Sequence, residues 1–368
     1  PSVIETHPAS LQRFSIASIP GDGIGIEVIE AVEQVLRQLE VLDGFSLTIE
    51  SYDWGTERYK TTGSYRPENG LEQLKKHDAI LFGAVGSPDV PDHISLWGLI
   101  LPIRKQLNQY VNVRPIKTLP GISPSIPTPR GYNLDWVIVR ENSEGEYAGQ
   151  GGTSHDNTAH EIANDVSVFT RMGIERTMRF AFETAESRPR KHLTMVTKSN
   201  AQRHGMVLWD KVFQEMATQY PSVKTDKMLV DAMTVRMVLK PDSLDTIVAT
   251  NLHGDILSDL GAALAGSIGL AASSNLDPTR QFPSMFEPIH GSAPDIAGKG
   301  VANPIGMFWS AAQMLKWLGL ETASDSLMQS IKYTTRCGIT TKDLGGNSTT
   351  KEVTHAIIGE LECIYNNK

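Results

Sequence analysis

The chain has 368 residues, 40% of them hydrophobic and 21% charged, and its 34 lysines and arginines stand against 42 aspartates and glutamates for a formal net charge of −8. At roughly 150 residues per domain, that length calls for two domains with a core large enough to fold without disulfides or a structural metal. The acidic balance argues against a general nucleic-acid or anionic-membrane binder, which would carry a basic face or arm.

Two cysteines, Cys337 and Cys363, have neither CxxC spacing nor a histidine cluster beside them. That argues against a disulfide framework or a thiolate zinc site and fits a reducing, cytoplasmic location. The opening residues carry no apolar run of the kind a targeting segment needs. No stretch reaches the roughly 20 apolar residues of a membrane span, and the longest apolar segment, 256–272, is broken by Asp259, glycines and serines.

In chain order, 14–19 reads as a short strand, followed by a glycine turn and a helix-period run over 27–39. Apolar runs at 79–85, 135–139, 192–197 and 244–250 read as buried parallel strands, with helices expected over 168–183, 203–219 and 305–318. Strands alternating with helices of about a dozen residues define an α/β fold with a mainly parallel sheet. The proline-rich stretch 115–129 reads as a loop or linker crossing between domains.

Several constellations can carry chemistry. GDGIG at 21–25 sits between a strand and a helix, where backbone N–H groups can approach an anion. Its third glycine comes one residue too early for the GxGxxG dinucleotide fingerprint, so a tight structural turn and a ligand loop stand level. Arg104, Arg114 and Arg140 flank strand-like or loop-like segments, and three guanidinium forks can hold a di- or tricarboxylate unless they are ordinary surface arginines. Tyr147 lies in a glycine-flanked loop, either aimed at a ligand or simply half-buried.

Asp255 and Asp259 lie four apart on an apparent helix that follows an apolar strand. Like charges so placed repel by roughly 0.2–0.5 kcal/mol unless a cation intervenes. Oxygen-only ligation selects Mg²⁺ or Mn²⁺ over zinc; the competing reading is one aspartate capping the helix and the other in water. Asp231, in an apolar neighbourhood, can complete such a site, and Lys198 at a strand end is a candidate base. The Gly/Pro-punctuated segment 287–298 is either a binding loop or a surface connection.

Taken together, these segments resemble the metal-dependent β-decarboxylating dehydrogenases, the family of isopropylmalate, isocitrate and tartrate/D-malate dehydrogenases. The match is collinear from GDGIG at 21–25 to ANPIG at 302–306. The resemblance implies an isopropylmalate dehydrogenase-like α/β fold that is not a Rossmann fold, with two domains sharing a large mixed sheet of about a dozen strands. It places a discontinuous cofactor domain at 1–109 and 266–368, and a substrate and dimerisation domain at 110–265.

The roles it implies are specific. Arg104, Arg114 and Arg140 clamp the substrate, with Trp97 shaping the pocket. Asp255 and Asp259 hold the metal with Asp231, which comes across the interface of a homodimer, as do Lys198 and Asn200. Lys198 is the base and Tyr147 the acid. The cofactor is met by Ile24, Asn200, Glu287, His290, Gly291, Ser292, Ala293, Asp295 and Asn303, and Asp295 favours NAD because a carboxylate repels the 2′-phosphate of NADP.

DHISLWG at 92–98 and VRENSEGEYAG at 139–149 resemble the tartrate/D-malate branch. An indole in the pocket leaves room for a small C4 diacid and none for a long γ-substituent. Leu99 stands where a serine is expected, which favours D-malate over tartrate; Ile26 replaces the proline usual after GDGIG. The implied activity is NAD- and Mg²⁺- or Mn²⁺-dependent oxidative decarboxylation of D-malate to pyruvate and CO₂, of tartrate, or of both. The alternatives are an isopropylmalate or homoisocitrate dehydrogenase, or a non-catalytic regulatory subunit of the sort that loses the tyrosine, lysine or aspartates retained here. No nucleic-acid or membrane partner is expected.

Overall fold

A computed structural model describes residues 11–124 and 133–367. The chain's opening ten residues and the Pro127–Pro129 part of the expected linker lie outside the described residues. The strands are β1 (Gln12–Gly21), β2 (Phe45–Ser51), β3 (Ala79–Ala84), β4 (Val111–Lys117), β5 (Asp135–Glu141), β6 (Gly145–Ser154), β7 (Ile162–Val168), β8 (His192–Thr197), β9 (Lys224–Leu229), β10 (Thr246–Ala249), β11 (Ala272–Leu276) and β12 (Ser284–Pro288).

Ten of them form one mixed sheet in the order β2-β1-β3-β12-β11-β4-β5-β10-β8-β9. The outer pairs are parallel, whereas β12-β11, β11-β4 and β4-β5 are antiparallel. Two parallel blocks are thus joined through an antiparallel centre, as in the large mixed sheet expected. Among the described residues the sheet has ten strands rather than about twelve. The remaining two, β6 and β7, pair as a separate antiparallel ribbon; β6 is glycine-rich, and both strands are largely exposed, with Ile162 and Val166 of β7 among the exposed residues.

Apolar strands lie where apolar runs were read, because a strand covered on both faces must be hydrophobic throughout. Every residue of β3 and β8 is buried. The helix Ile24–Asp43 turns Val28, Val32, Val35 and Leu39 into the core and stops at Gly44, whose left-handed φ of 75° suits a residue without Cβ. Helices Arg171–Ser187, Gly205–Ala217 and Ile305–Trp317 match the helix-period runs. The first starts three residues later than 168 because Val168 still pairs in β7.

One hydrophobic cluster draws Ile16, Val28 and Leu81 together with Phe308, Leu327 and Leu361, from opposite ends of the chain. Two others, built around Phe182 and Trp209 and around Trp136 and Met237, use only residues between 110 and 265. Truncating a fully buried member such as Leu36 to alanine costs about 2–5 kcal/mol. Among the described residues no helix is long and apolar enough to cross a membrane.

Candidate active site

The antiparallel centre of the sheet brings the arginines together. In the β4–β5 register Asn112 lies opposite Arg140. Asn112 and Arg114 are two apart on β4, so Arg114 and Arg140 project from the same face as diagonal neighbours. Arg104 reaches the same space from the helix Leu101–Gln106, which runs into β4. The three are 6%, 4% and 2% exposed, and buried guanidinium groups persist only where bonded partners offset lost hydration.

Those partners come from the helix Asn251–Ala265, whose Asn251, Asp255 and Ser258 share one face at helical spacing. Asn251 Oδ1 accepts from Arg140 Nε at 2.9 Å and Nη2 at 2.7 Å. Asp255 Oδ1 accepts from Arg140 Nη1 at 2.5 Å and Arg114 Nη1 at 3.1 Å. Ser258 Oγ accepts from Arg114 Nη1 at 2.7 Å. Gly254 permits this approach, since a Cβ there would sit 2.7 Å from Arg140 Cγ. Arg104 Nη2 donates to Glu287 Oε1 at 2.7 Å.

The three arginines, Asp255 and Glu287 line a cavity of about 180 Å³ with Tyr147, His290 and Gly291, closed on its apolar side by Val85, Leu96, Ile100 and Ile289. Three guanidinium groups face two carboxylates, leaving a positive surplus for an anion. Burial alone would raise the Asp255 carboxyl, but Arg140, Arg114 and Arg104 outweigh it and hold it at about 2. Burial pushes Arg140 down to about 10, so it stays charged at neutral pH. Tyr147 donates its hydroxyl to Asp255 Oδ2 at 3.1 Å. Burial, then the Asp255 charge, raises the phenol, which therefore keeps its proton.

Other expected site residues lie elsewhere. Lys198 Nζ bonds Asp231 Oδ1 at 2.6 Å, with Asp231 exposed, and neither lines the cavity. Asn200 is exposed beyond β8. Asp259 is exposed one turn past Asp255; partial burial, then the Asp255 charge, raises its carboxyl. Among the described residues of one chain, no three His, Cys, Asp or Glu side chains gather as a metal site.

Trp97 does not enter the cavity. It is 41% exposed, lies against Gly149 and stacks under Lys105 Nζ at 4.9 Å. On the helical path 96–104, residues four apart (Leu96, Ile100, Arg104) face the cavity instead. Leu99 is wholly buried in a hydrophobic cluster with Trp54, Phe82 and Ile103. Its replacement of a serine therefore bears on packing, and the preference for D-malate drawn from it falls away.

GDGIG is held as a structural junction, and its Gly21, Asp22 and Gly23 also line a cavity of about 570 Å³. Asp22 accepts from the Thr56 N–H and hydroxyl and from the Gly86 N–H, and the Ile24 N–H is committed to Ser292 O at 2.8 Å. That bond fixes the loop His290–Asp295, in which Ala293 takes a φ of 41°, unusual for a residue with a Cβ. Gly291, Ser292 and Ala293 line a further cavity, also of about 570 Å³, with residues 85–88 and 90–92. It shares Val85 and Gly291 with the arginine-lined cavity. Asp295 is exposed; Asn303 caps Ile305 N–H and bonds Asp343. Sequence reasoning missed Asn251 and Ser258; the signal was their spacing from Asp255.

A mixed sheet with three buried arginines converging at its antiparallel centre defines a class, and the isocitrate/isopropylmalate dehydrogenase family model matches residues 15–357. The chain belongs to that family. It is 60% identical to a probable tartrate dehydrogenase/decarboxylase of Agrobacterium vitis, covering 94% of this chain and 97% of that one. It is 46% identical to a D-malate dehydrogenase (decarboxylating) of Escherichia coli, over 94% of this chain and 98% of the relative. Its fold superposes on isocitrate dehydrogenase from Methylococcus capsulatus with a TM-score of 0.86 at 33% identity, covering 95% of this chain and 99% of the other.

Proposed function

We propose that this chain is a cytoplasmic homodimeric enzyme that oxidatively decarboxylates a small C4 2-hydroxy diacid, D-malate to pyruvate and CO₂, tartrate, or both, with NAD and Mg²⁺ or Mn²⁺. The observation that carries this reading is the convergence of Arg104, Arg114, Arg140, Tyr147 and Asp255 on one cavity of about 180 Å³. That is well below the roughly 300–1,000 Å³ of pockets for drug-sized ligands, and Leu96 and Ile100 offer no polar group to a third carboxylate. The names of the similar tartrate and D-malate enzymes point the same way.

The residues suit both absent groups. Asp255 is ionised and Asp259 bears the cost of its neighbour's charge, which a divalent cation would relieve. With Asp231 from a second copy they form the all-oxygen set that Mg²⁺ or Mn²⁺ takes. The cavity lined by Gly291, Ser292, Ala293 and Pro294, which shares Val85 and Gly291 with the substrate cavity, suits a dinucleotide, and exposed Asp295 just beyond it disfavours a 2′-phosphate. When bound, the dinucleotide accepts the hydride and the cation withdraws charge from the substrate oxygens.

The chain's own residues do the rest. Arg104, Arg114 and Arg140 fix the carboxylates, so C2 is presented in one orientation. Lys198 from the second copy takes the C2 hydroxyl proton onto its neutral amine, and Asp231 pairs with the ammonium that forms. Tyr147, protonated at its phenol oxygen, hands that proton to the carbon that loses CO₂. The segregation of hydrophobic clusters supports cofactor and substrate domains divided near residues 109 and 265.

The test is a panel of D-malate, the tartrate isomers, isopropylmalate and isocitrate, each with NAD or NADP, with and without Mn²⁺. Metal-dependent NADH formation on D-malate or a tartrate, with release of CO₂, is expected. Faster turnover of isopropylmalate than of any C4 acid would overturn the proposal, as would no turnover of any substrate.

A further inference from the structure

Beneath the arginine clamp lies a buried chain of amides that no step of the proposed chemistry uses. Asn112 on β4, Asn275 on β11 and Asn142 just past β5 are 0%, 0% and 1% exposed. They meet where the antiparallel strands join the two halves of the sheet. β11 reads ASSNL yet every residue is buried; such a polar strand persists in a core only when its side chains are satisfied by one another.

The bonds run in one direction. Arg114 Nε donates to Asn112 Oδ1 at 2.6 Å. Asn112 Nδ2 donates to Asn275 Oδ1 at 2.9 Å. Asn275 Nδ2 donates to Glu287 Oε1 at 3.1 Å, and the same oxygen takes Arg104 Nη2 at 2.7 Å. A guanidinium can only donate and a carboxylate can only accept, so each end dictates which way the amides face. Both amides use a carbonyl toward Arg114 and an NH₂ toward Glu287. Asparagine is the side chain of this length that supplies both.

We propose that Asn275 is a positioning residue that sets the separation and orientation of Arg104 and Arg114, linking the two arginines through Glu287 and Asn112. This rests on the reading that those arginines hold the substrate carboxylates. Asn275 touches neither guanidinium and lines no part of the cavity; it acts through its two partners. Because the clamp binds carboxylates in substrate and transition state alike, its misalignment weakens binding more than it slows turnover.

Asn142 supplies the control. It donates to the same Asn275 Oδ1 at 2.9 Å and to Gln109 O at 3.0 Å, and stands outside the arginine-to-arginine chain. The experiment compares Asn275→Ser with Asn142→Ser in the full-length protein with NAD and Mn²⁺. Melting temperature, kcat, and KM for D-malate and for NAD are measured, with Kd for D-malate, isopropylmalate and isocitrate, and for each tartrate isomer, by calorimetry.

Asn275→Ser should raise KM and Kd for the diacid roughly 10-fold, with kcat and the KM for NAD within a factor of about two. Asn142→Ser should lower the melting temperature comparably and leave diacid binding unchanged. Equal shifts in melting temperature with diacid binding unaltered in both variants would overturn the proposal, as would equal weakening of diacid binding by both. A wild-type protein that binds D-malate yet turns over neither D-malate nor any tartrate isomer would sink the proposed function and leave the Kd comparison to decide the role of Asn275. Failure of the wild type to bind any of the three acids or any tartrate isomer would overturn both.

Discussion

The two halves of the proposed chemistry are built differently. The clamp is finished within one chain: its arginines are nearly inaccessible, every guanidinium has bonded partners, and Asp255 is held near 2 by the cations around it. The pair Lys198–Asp231 is a single ion pair, with the Asp231 side chain 65% exposed and the Lys198 side chain 30% exposed, outside the cavity. An exposed pair contributes about 0–1 kcal/mol and fixes little by itself. Nearby, the helix Val230–Leu239, which carries Asp231 in its first turn, shows Val235 and Leu239 to solvent at 55% and 72%, and Ile256 beside Asp255 is 53% exposed. Apolar residues exposed next to an unfinished site are the surface a second copy would cover. One half is pre-organised by folding; in the proposed homodimer the other half is completed by assembly.

The largest test of that contrast uses one residue from each half. Lys198→Met and Tyr147→Phe should each lower decarboxylating turnover roughly 10²–10⁴-fold and leave NAD binding intact. If each site takes Tyr147 from one copy and Lys198 from the other, co-refolding equal amounts of the two inactive variants should recover about a quarter of wild-type activity, since half the dimers then hold one intact site. No recovery in verified mixed dimers would place both residues in the same chain's site. Next in size, Val235→Glu should halve the particle mass measured by light scattering from twice 40.3 kDa and abolish turnover, while the buried clamp still binds D-malate weakly. A variant that remains dimeric would move the interface elsewhere.

Legibility in the sequence divides along the same line. Arg104, Arg114 and Arg140 were named together, Tyr147 by itself and Asp255 with Asp259, and the structure brings the arginines, Tyr147 and Asp255 to one cavity. Their convergence rests on strand register, which spacing along the chain does not display. Apolar strands such as β3 and β8 were legible because burial on both faces demands continuous hydrophobicity. β11 was missed because its serines and asparagine are satisfied by each other, which the period of hydrophobic residues does not register. Trp97 was misplaced for a geometric reason: on a helical path its neighbours four apart, Leu96 and Ile100, take the cavity wall. Accordingly, Ile100→Ala should raise the ratio of kcat/KM for isopropylmalate over D-malate about 10-fold by making room beside the diacid, and Trp97→Ala should leave that ratio unchanged. The reverse result would restore the indole to the pocket.

The smallest effect is expected where the two kinds of region meet. Tyr147 belongs to the clamp, yet it sits on β6, which continues into the exposed ribbon. That strand is held by contacts just past the tyrosine: Lys105 Nζ donates to Ala148 O at 3.3 Å, and the Trp97 indole lies against Gly149. Gly149 has a φ of +79°, and a Cβ there would stand 2.8 Å from Trp97 Cζ3, so Gly149→Ala carries both a left-handed backbone penalty of about 1 kcal/mol and a clash with the ring. The phenol two residues away should shift, lowering kcat by a factor of about three to ten with little change in diacid Kd, because the arginines take their hydrogen bonds from Asn112, Asn251, Asp255, Ser258 and Glu287, none of them on β6. Trp97→Ala in the Gly149→Ala background removes the clash and should recover part of that loss, leaving only the backbone penalty. If the double variant is no faster than Gly149→Ala alone, the indole is not what holds the acid-bearing strand in place.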